Sequence, residues 1–347
     1  MPADEPRRNL ELLEDAHDFC GEFIAWTRRD SMRLLSWPLI SGLVGCSRSI
    51  PSAQAADLQK MTREEDLAIL SLLESGYRNR TELQGRTIAG TPAGAVVIHD
   101  RPHCLAVSPD GAWIAWDNPS ALPKQVGSGA PLRLTLATPS QPPRTLVFDS
   151  YFGGRLALSA NAEHVALVRG NLDQEPVFEL VVVDGSTGRV ERDVTPMLTR
   201  RPLSSGTRLA LSSAGDRLLV ASSEWTSVLD LAAASGSVLT EVRSWNASLS
   251  PNGRFLAFVD QGRRVNLIDL STRSQRVLLG RWQRVSAIGA WSPNGRYLLV
   301  GLLGLLSNRL VALDVDTGQL IDLHPLGTVA GHLSVWIKSR FLSGAIL

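Results

Sequence analysis

The chain has 347 residues and sets 35 Lys and Arg against 34 Asp and Glu, so its bulk charge favours neither nucleic acid nor an anionic surface as the main partner. Its 3 cysteines cannot build a disulfide framework. A chain of this length does not need one, because it can bury a core of its own.

Residues 1–31 are rich in acids, unlike the leading region of an export signal, which makes Met32 a candidate start. Met32-Arg33 leads into the apolar run 34–45 (Leu-Leu-Ser-Trp-Pro-Leu-Ile-Ser-Gly-Leu-Val-Gly), too short to cross a bilayer and suited to a signal h-region. Its end, Leu43-Val44-Gly45-Cys46, resembles a bacterial lipobox, in which the cysteine is lipidated and becomes the mature N-terminus. Ala53-Gln54-Ala55 is a competing cleavage site of the ordinary kind. Upstream, Thr27 to Arg33 resembles the twin-arginine export motif, with Ser31 where that motif favours Phe. The bland alternative makes 34–45 a buried helix of a cytoplasmic domain; charge, length and cleavage signals agree on export.

Residues 47–58, rich in Ser, Ala and Pro, read as a tether. Thr62-Arg63-Glu64-Glu65 is a capping box, followed by Leu67, Leu70, Leu72 and Leu73 and by Gly76 as a stop, so the pattern predicts a short helix from Thr62. Such a helix either docks a partner or, as the simpler reading, packs as a lid on its own domain. The chain thus divides into 1–55 (signal and upstream segment), 56–85 (tether and helix) and a domain over 86–347.

That domain is repetitive. Val107-Ser108-Pro109-Asp110-Gly111-Ala112-Trp113-Ile114-Ala115-Trp116 returns as Leu249-Ser250-Pro251-Asn252-Gly253-Arg254-Phe255-Leu256-Ala257-Phe258 and as Trp291-Ser292-Pro293-Asn294-Gly295-Arg296-Tyr297-Leu298. Decayed copies at Ser159 and Ser212 lack the proline, and the five serines recur every 38 to 53 residues. Ser-Pro-Asx-Gly is a tight turn, its flanks are short apolar strands, and further turns follow at Asp184-Gly185-Ser186-Thr187-Gly188 and Asp314-Val315-Asp316-Thr317-Gly318. Four strands per repeat make one propeller blade. Five units fall at roughly 103–148, 155–195, 207–242, 245–279 and 285–323. The expectation is an all-β, six-bladed propeller of four-stranded antiparallel blades preceded by the short helix. Its sixth blade is shared: two outer strands near 86–99, turning at Thr91-Pro92-Ala93-Gly94, and two inner strands within 331–346.

The Ser-Pro-Asp-Gly-x-x-Ile-Ala pattern over 86–347 resembles the WD-repeat-like propeller of TolB-type bacterial proteins. The resemblance implies a periplasmic setting. It leaves activity open, because propellers host many unrelated functions. The 56–85 stretch is too short for the separate α/β domain that precedes the propeller in that family, so the family's role in an envelope complex is not carried over.

Catalytic signatures are scarce. The sequence has no Gly-x-Ser-x-Gly elbow, His-Glu-x-x-His, Cys-x-x-Cys or Gly-x-Gly-x-x-Gly. His99 and His103 are interrupted by Pro102 and lack further local donors, so no metal site and no cofactor are expected. Residues at the blade junctions are Arg101 and His103; Tyr151; Arg200 and Arg201; Arg243 and Trp245; Arg281, Trp282 and Arg284. Arg, Trp and Tyr are the types enriched at binding hot spots, so these residues are the candidate binding face. The starts of the axial strands, Leu105, Leu156, Leu209, Ala247 and Ile288, are apolar. The expected function is a monomeric, non-catalytic binding module in the periplasm or anchored to the outer membrane, with an envelope protein or an acidic ligand as partner and no nucleic acid. The alternative is a periplasmic hydrolase or lyase using a central pocket.

Replacing Cys46 by Ala is expected to leave the protein soluble or unprocessed, as read by membrane fractionation and by the mass of the mature form. A Cys46→Ala protein that still fractionates with membranes and matures at the same rate would place cleavage after Ala55 instead.

Overall fold

In the computed structural model the described residues are 52–73, 81–89, 91–98, 102, 104–117, 132–148, 152–171, 177–198, 203, 207–222, 224–232, 236–244, 246–280, 283–303, 309–323 and 335–346. They form one α-helix, α1 (Ser52–Glu64), two single-turn 3-10 helices (Thr195–Leu198 and Ser339–Leu342) and a ring of six sheets. Three strands follow the helix: β1 (Leu67–Leu73), β2 (Thr81–Arg86) and β3 (Pro92–Ile98). Blade 1 is β4 (Leu105–Val107), β5 (Ile114–Asp117), β6 (Leu132–Thr138) and β7 (Gln141–Phe148); blade 2 is β8 (Phe152–Leu158), β9 (His164–Asn171), β10 (Val177–Asp184) and β11 (Val190–Asp193). Blade 3 is β12 (Arg208–Leu211), β13 (Arg217–Ala221), β14 (Thr226–Asp230) and β15 (Ser237–Val242). Blade 4 is β16 (Ala247–Leu249), β17 (Phe255–Val259), β18 (Val265–Asp269) and β19 (Gln275–Leu279). Blade 5 is β20 (Val285–Trp291), β21 (Tyr297–Leu302), β22 (Arg309–Asp314) and β23 (Leu320–Asp322), after which β24 (Val335–Lys338) and β25 (Ser343–Ile346) end the chain. Each of blades 1 to 5 is a sequential antiparallel sheet, and their first strands neighbour one another around the axis from β4 through β20 to β24 and back to β4.

The six-bladed ring is the expected one, but the closing blade differs in detail. Its order is β24-β1-β2-β3-β25, so the N-terminal side supplies three strands, and the C-terminal side gives one inner strand and one at the rim. β24 pairs with β1 (Leu67↔Lys338, Leu70↔Val335), while β25 lies parallel to β3 (Ser343↔Ala95). The propeller thus begins at Leu67, ahead of residue 86. The expected turn at Thr91 to Gly94 is instead the start of β3, and the reversal lies at Thr87 to Thr91, closed by the Thr87 N–H on the Thr91 carbonyl at 2.9 Å.

The helix is also displaced from its expected place. Thr62 lies in its last turn, with its hydroxyl on the Leu58 carbonyl at 3.0 Å, and the leucines from 67 to 73 form β1. A short apolar run reads equally as helix or as a strand buried on both faces, and here β24 needs an antiparallel neighbour. The lid reading holds for α1: Leu58 and Met61 are buried against Tyr297, Leu310, Ile321 and Trp336, and Gln54 Nε2 reaches Thr317 Oγ1 at 3.2 Å. Residues 52–58 of the expected tether therefore belong to this helix.

Packing follows from strand alternation. In β13, Leu218 and Val220 enter the seam with blade 2, while Leu219 and Ala221 enter the seam with blade 4. In β21, Leu298, Val300 and Leu302 face blade 4, and Tyr297 and Leu299 face the closing blade and α1. Middle strands are apolar on both faces because both faces are seams.

The repeated serine has a structural task. Ser108, Ser159, Ser212, Ser250 and Ser292 are all buried. Each Oγ accepts the backbone N–H five residues on at 2.8–3.0 Å (Trp113, His164, Arg217, Phe255 and Tyr297). Each hydroxyl donates to a nearby Asx oxygen: Asp110, Asn161, Asn252 and Asn294 two residues on, and Asp216 in the 212 copy, where position 214 is alanine. The decayed copies keep the serine and lose the proline, which sets φ but accepts no hydrogen bond; the 159 copy also has Ala162 in place of the glycine and the 212 copy Ala214 in place of the Asx. At Gly111 (φ +69°) an added Cβ would also lie 2.9 Å from the Ile337 Cα, so this glycine admits β24 into the ring.

A second device closes the third and fourth strands of a blade. Asp269 Oδ2 accepts Arg254 Nε at 2.9 Å and Nη2 at 2.7 Å, and its Oδ1 receives the Ser271 and Thr272 N–H groups. Asp314 repeats this with Arg296 and with the N–H groups of Asp316 and Thr317. Hydrogen bonds from Arg254 and Ser271 hold the Asp269 carboxyl well below the usual carboxylate range.

Ser292→Ala should cost about 1–3 kcal/mol in denaturant unfolding, because it leaves the buried Tyr297 N–H without its acceptor; an unchanged midpoint would show that the turn is held by its backbone alone. A second expectation concerns pH. A carboxyl whose folded pKa is depressed adds stability above its unfolded value, near 3.9, and loses it below. The gap between wild type and Asp269→Asn should be constant from pH 7 to about 5 and shrink below about pH 4; a gap that widens with acid would contradict the assignment.

Candidate functional site

Strand direction sorts the connections onto two faces. Ser-Pro-Asx-Gly and Asp-x-Ser/Thr turns close the first and third strands of a blade at one end, the turn face. Hairpins between second and third strands, and junctions between blades, lie at the other end, the loop face. Of the expected binding-face residues, Arg243 lies on the junction from β15 to β16 and Arg284 on that from β19 to β20, on either side of blade 4. Both side chains are exposed. Arg101, His103, Tyr151, Arg200, Arg201, Trp245, Arg281 and Trp282 lie outside the described residues, as does Cys46.

The junction bearing Arg243 is latched from below. Buried Ser244 donates its hydroxyl to the Val259 carbonyl at 2.7 Å, and buried Asn246 bonds across to blade 5, its Oδ1 accepting the Ile288 N–H at 2.9 Å and its Nδ2 reaching the Ser286 carbonyl at 3.3 Å. Arg284 is held through its backbone: its carbonyl accepts the Leu303 N–H at 2.9 Å, and its φ is +46°.

Sequence reading missed the hairpin between these junctions. Arg263 and Arg264 stand in the turn from β17 to β18, which opens on the same face. The signal was present, since any hairpin after a second strand shares a face with the junctions. Arg264 Nε donates to Asp260 Oδ2 at 2.7 Å. Burial alone would raise the Asp260 pKa, but hydrogen bonds from Arg264 and Asn266 outweigh it and hold the carboxyl below its ordinary value. That acid is therefore engaged. Arg263, exposed and at φ +58°, has no side-chain hydrogen bond or ion pair among the described residues, and neither have Arg243 and Arg284.

The axis is chemically plain. The six inner strands contain no Asp, Glu or His; their ionisable residues are Arg155, Arg208 and Lys338. Lys338 Nζ is tied to the Glu65 carbonyl at 2.7 Å. No cluster of three or more His, Cys, Asp or Glu that could hold a metal occurs among the described residues. His164 places Nδ1 2.7 Å from Glu191 Oε2. A groove of about 410 Å³ opens at the rim between blades 2 and 3, lined by Arg192, Asp193, Pro196, Met197, Gly236, Ser237 and Val238. Its guanidinium is engaged across the seam, Arg192 Nη1 donating to the Leu231 carbonyl at 2.7 Å.

No family model and no curated protein matches the chain. Solved structures do. TolB from Acinetobacter baumannii superposes with a TM-score of 0.54 at 17% identity, over 78% of this chain and 66% of that one, so the chain spans just under two thirds of TolB. A nidogen/laminin complex (TM-score 0.48, 15% identity, 79% of this chain and 99% of that one) is similar, as is Kuenenia stuttgartiensis hydrazine synthase (TM-score 0.41, 17% identity, 66% and 68%). The likeness to TolB establishes the fold, a TolB-like β-propeller.

Asn246→Ala should destabilise the protein by about 1–3 kcal/mol through its unpaired buried backbone partners, whereas Arg243→Ala should stay within about 0.5 kcal/mol of wild type. Equal losses would make Arg243 part of the latch rather than a surface residue.

Proposed function

We propose that the protein is an exported, non-catalytic binding module that works in the periplasm, free or anchored to the outer membrane through lipid on Cys46, and that captures an envelope protein or acidic ligand on its loop face. It acts as a monomer. One observation carries the binding role: exposed arginines without partners flank one blade on that face, over a junction fixed by buried Ser244 and Asn246. Rigid scaffolds that present exposed Arg suit bidentate recognition of carboxylates. The TolB-like fold supports a periplasmic setting. No helix among the described residues is long and apolar enough to cross a membrane.

A hydrolase or lyase working at the axis would need acids, bases or metal ligands converging there. The inner strands supply no Asp, Glu or His, only basic and apolar side chains and the hydroxyls of Ser248 and Ser286, which favours the binding role.

Capture from envelope extracts, set against a panel of hydrolase substrates, tests this reading. Trp282→Ala and Arg284→Ala should weaken capture by at least about 2 kcal/mol each while leaving the melting temperature nearly unchanged. Asn252→Ala and Asn294→Ala, which remove turn-face acceptors for Ser250 and Ser292, should lower the melting temperature and spare capture. Turnover of any panel substrate, or equal loss of stability in both sets, would end the proposal.

A further inference from the structure

We propose that Arg243, Arg263 and Arg284 together form a docking site for an extended acidic polypeptide segment, each guanidinium taking one carboxylate. This rests on the reading that the loop face is the binding face, and names its partner class. Three observations meet here. The first is placement: the residues come from two junctions and one hairpin, all at the same end of blade 4. The second is pairing. The nearby acid, Asp260, is already engaged by Arg264, so it does not neutralise Arg263. The exposed acids at this end of blade 3, Glu224 on its hairpin and Glu241 in β15, where it accepts the Ser227 hydroxyl at 2.8 Å, are outnumbered by the three arginines.

The third is backbone strain. A side chain at positive φ is disfavoured, and glycine is the default there. On the turn face glycine usually fills such positions, at φ +68° to +73° at 111, 188, 215, 253, 295 and 318, with Asp66 (φ +53°), Ala162 (φ +53°) and Arg273 (φ +58°) as the exceptions. Two left-handed residues on the loop face are arginines instead, 263 at φ +58° and 284 at φ +46°. Strain retained at an exposed residue, where glycine would relieve it, points to a functional side chain only when placement and pairing agree, as they do at 263 and 284. Arg273, at φ +58° in the turn-face position held by Gly188 and Gly318 elsewhere, is the natural control: it has the same conformation and exposure on the opposite face.

Carboxylates fit better than a phosphate polymer. Binding of nucleic acid or anionic lipid grows with the number of basic contacts and with the field of the whole protein. Here the chain is balanced at 35 to 34, and the site offers three separate forks. A guanidinium pairs bidentately with a single carboxylate, and three such pairs along an extended segment suit a short acidic stretch.

The test uses the full-length protein and a labelled ten-residue poly-glutamate peptide, read by fluorescence anisotropy at low and moderate salt. Arg263→Gly and Arg284→Gly should each weaken peptide binding at least about tenfold and raise the thermal midpoint by about 1–3 °C as the strain is released. Arg273→Gly should raise the midpoint similarly and leave binding unchanged. Arg243→Ala should weaken binding with no change in midpoint. The proposal is overturned if Arg263→Gly and Arg284→Gly bind the peptide like wild type, or if a single-stranded oligonucleotide or anionic vesicles bind more tightly than the peptide at matched charge. Failure of the peptide with envelope capture still lost in Trp282→Ala and Arg284→Ala would discard the acidic class and keep the binding face. Loss of neither would discard both.

Discussion

Everything in this fold depends on burying both faces of every blade. The middle strands are apolar on alternate residues in both directions, so a blade needs a neighbour on each side. Leu218 and Leu219 show the rule at a single peptide bond: one side chain goes to blade 2, the next to blade 4. A row of such blades would leave two apolar ends, and a ring leaves none. The ring must then be fastened where the chain begins and ends, which is why β24 inserts beside β1 and why Trp336 and Ile337 point into two different seams. Closing this blade from both ends couples its stability to the rest of the molecule, since β1 and β24 have no local hairpin to hold them together.

Within that ring the turn face is the rigid end. Five buried serine hydroxyls each satisfy a backbone N–H, and neighbouring turns are tied to one another, Ala160 N–H to the Ser213 carbonyl and Ser213 N–H to the Pro251 carbonyl. Arginines on the blades serve the same purpose. Arg192 and Arg276 each donate from an outer strand to a carbonyl of the next blade, Leu231 and Val315, and Arg217 reaches the Gly253 carbonyl. Such guanidiniums are structural groups, and their charge is not offered to a partner.

The loop face uses the same residue type differently. Arg243, Arg263 and Arg284 are exposed and have no partner among the described residues, and two of them hold backbone conformations that glycine would adopt more easily. Buried Ser244 and Asn246 fix the ground beneath them without touching their side chains. A stiff ring with one end locked and the other end free to present charge is a reasonable frame for recognition, because little ordering remains to be done when a ligand arrives.

The amino-acid sequence by itself determined the blade: a turn motif recurring with its serine, flanked by strands of fixed period, identifies a propeller and counts its units, because turn chemistry and strand alternation are local properties. It also placed Arg243 and Arg284 at junctions, since chain order alone decides which end of a blade a junction leaves. Only the tertiary structure decided the rest. Leu67–Leu73 became a strand rather than a helix because β24, more than 260 residues away, needed a neighbour, and no local pattern separates a doubly buried strand from a helix of that length. The pairing of Asp260 with Arg264, which leaves Arg263 unpaired, and the left-handed φ of residues 263 and 284 depend on how the backbone is held in space, and residue type and spacing do not encode them.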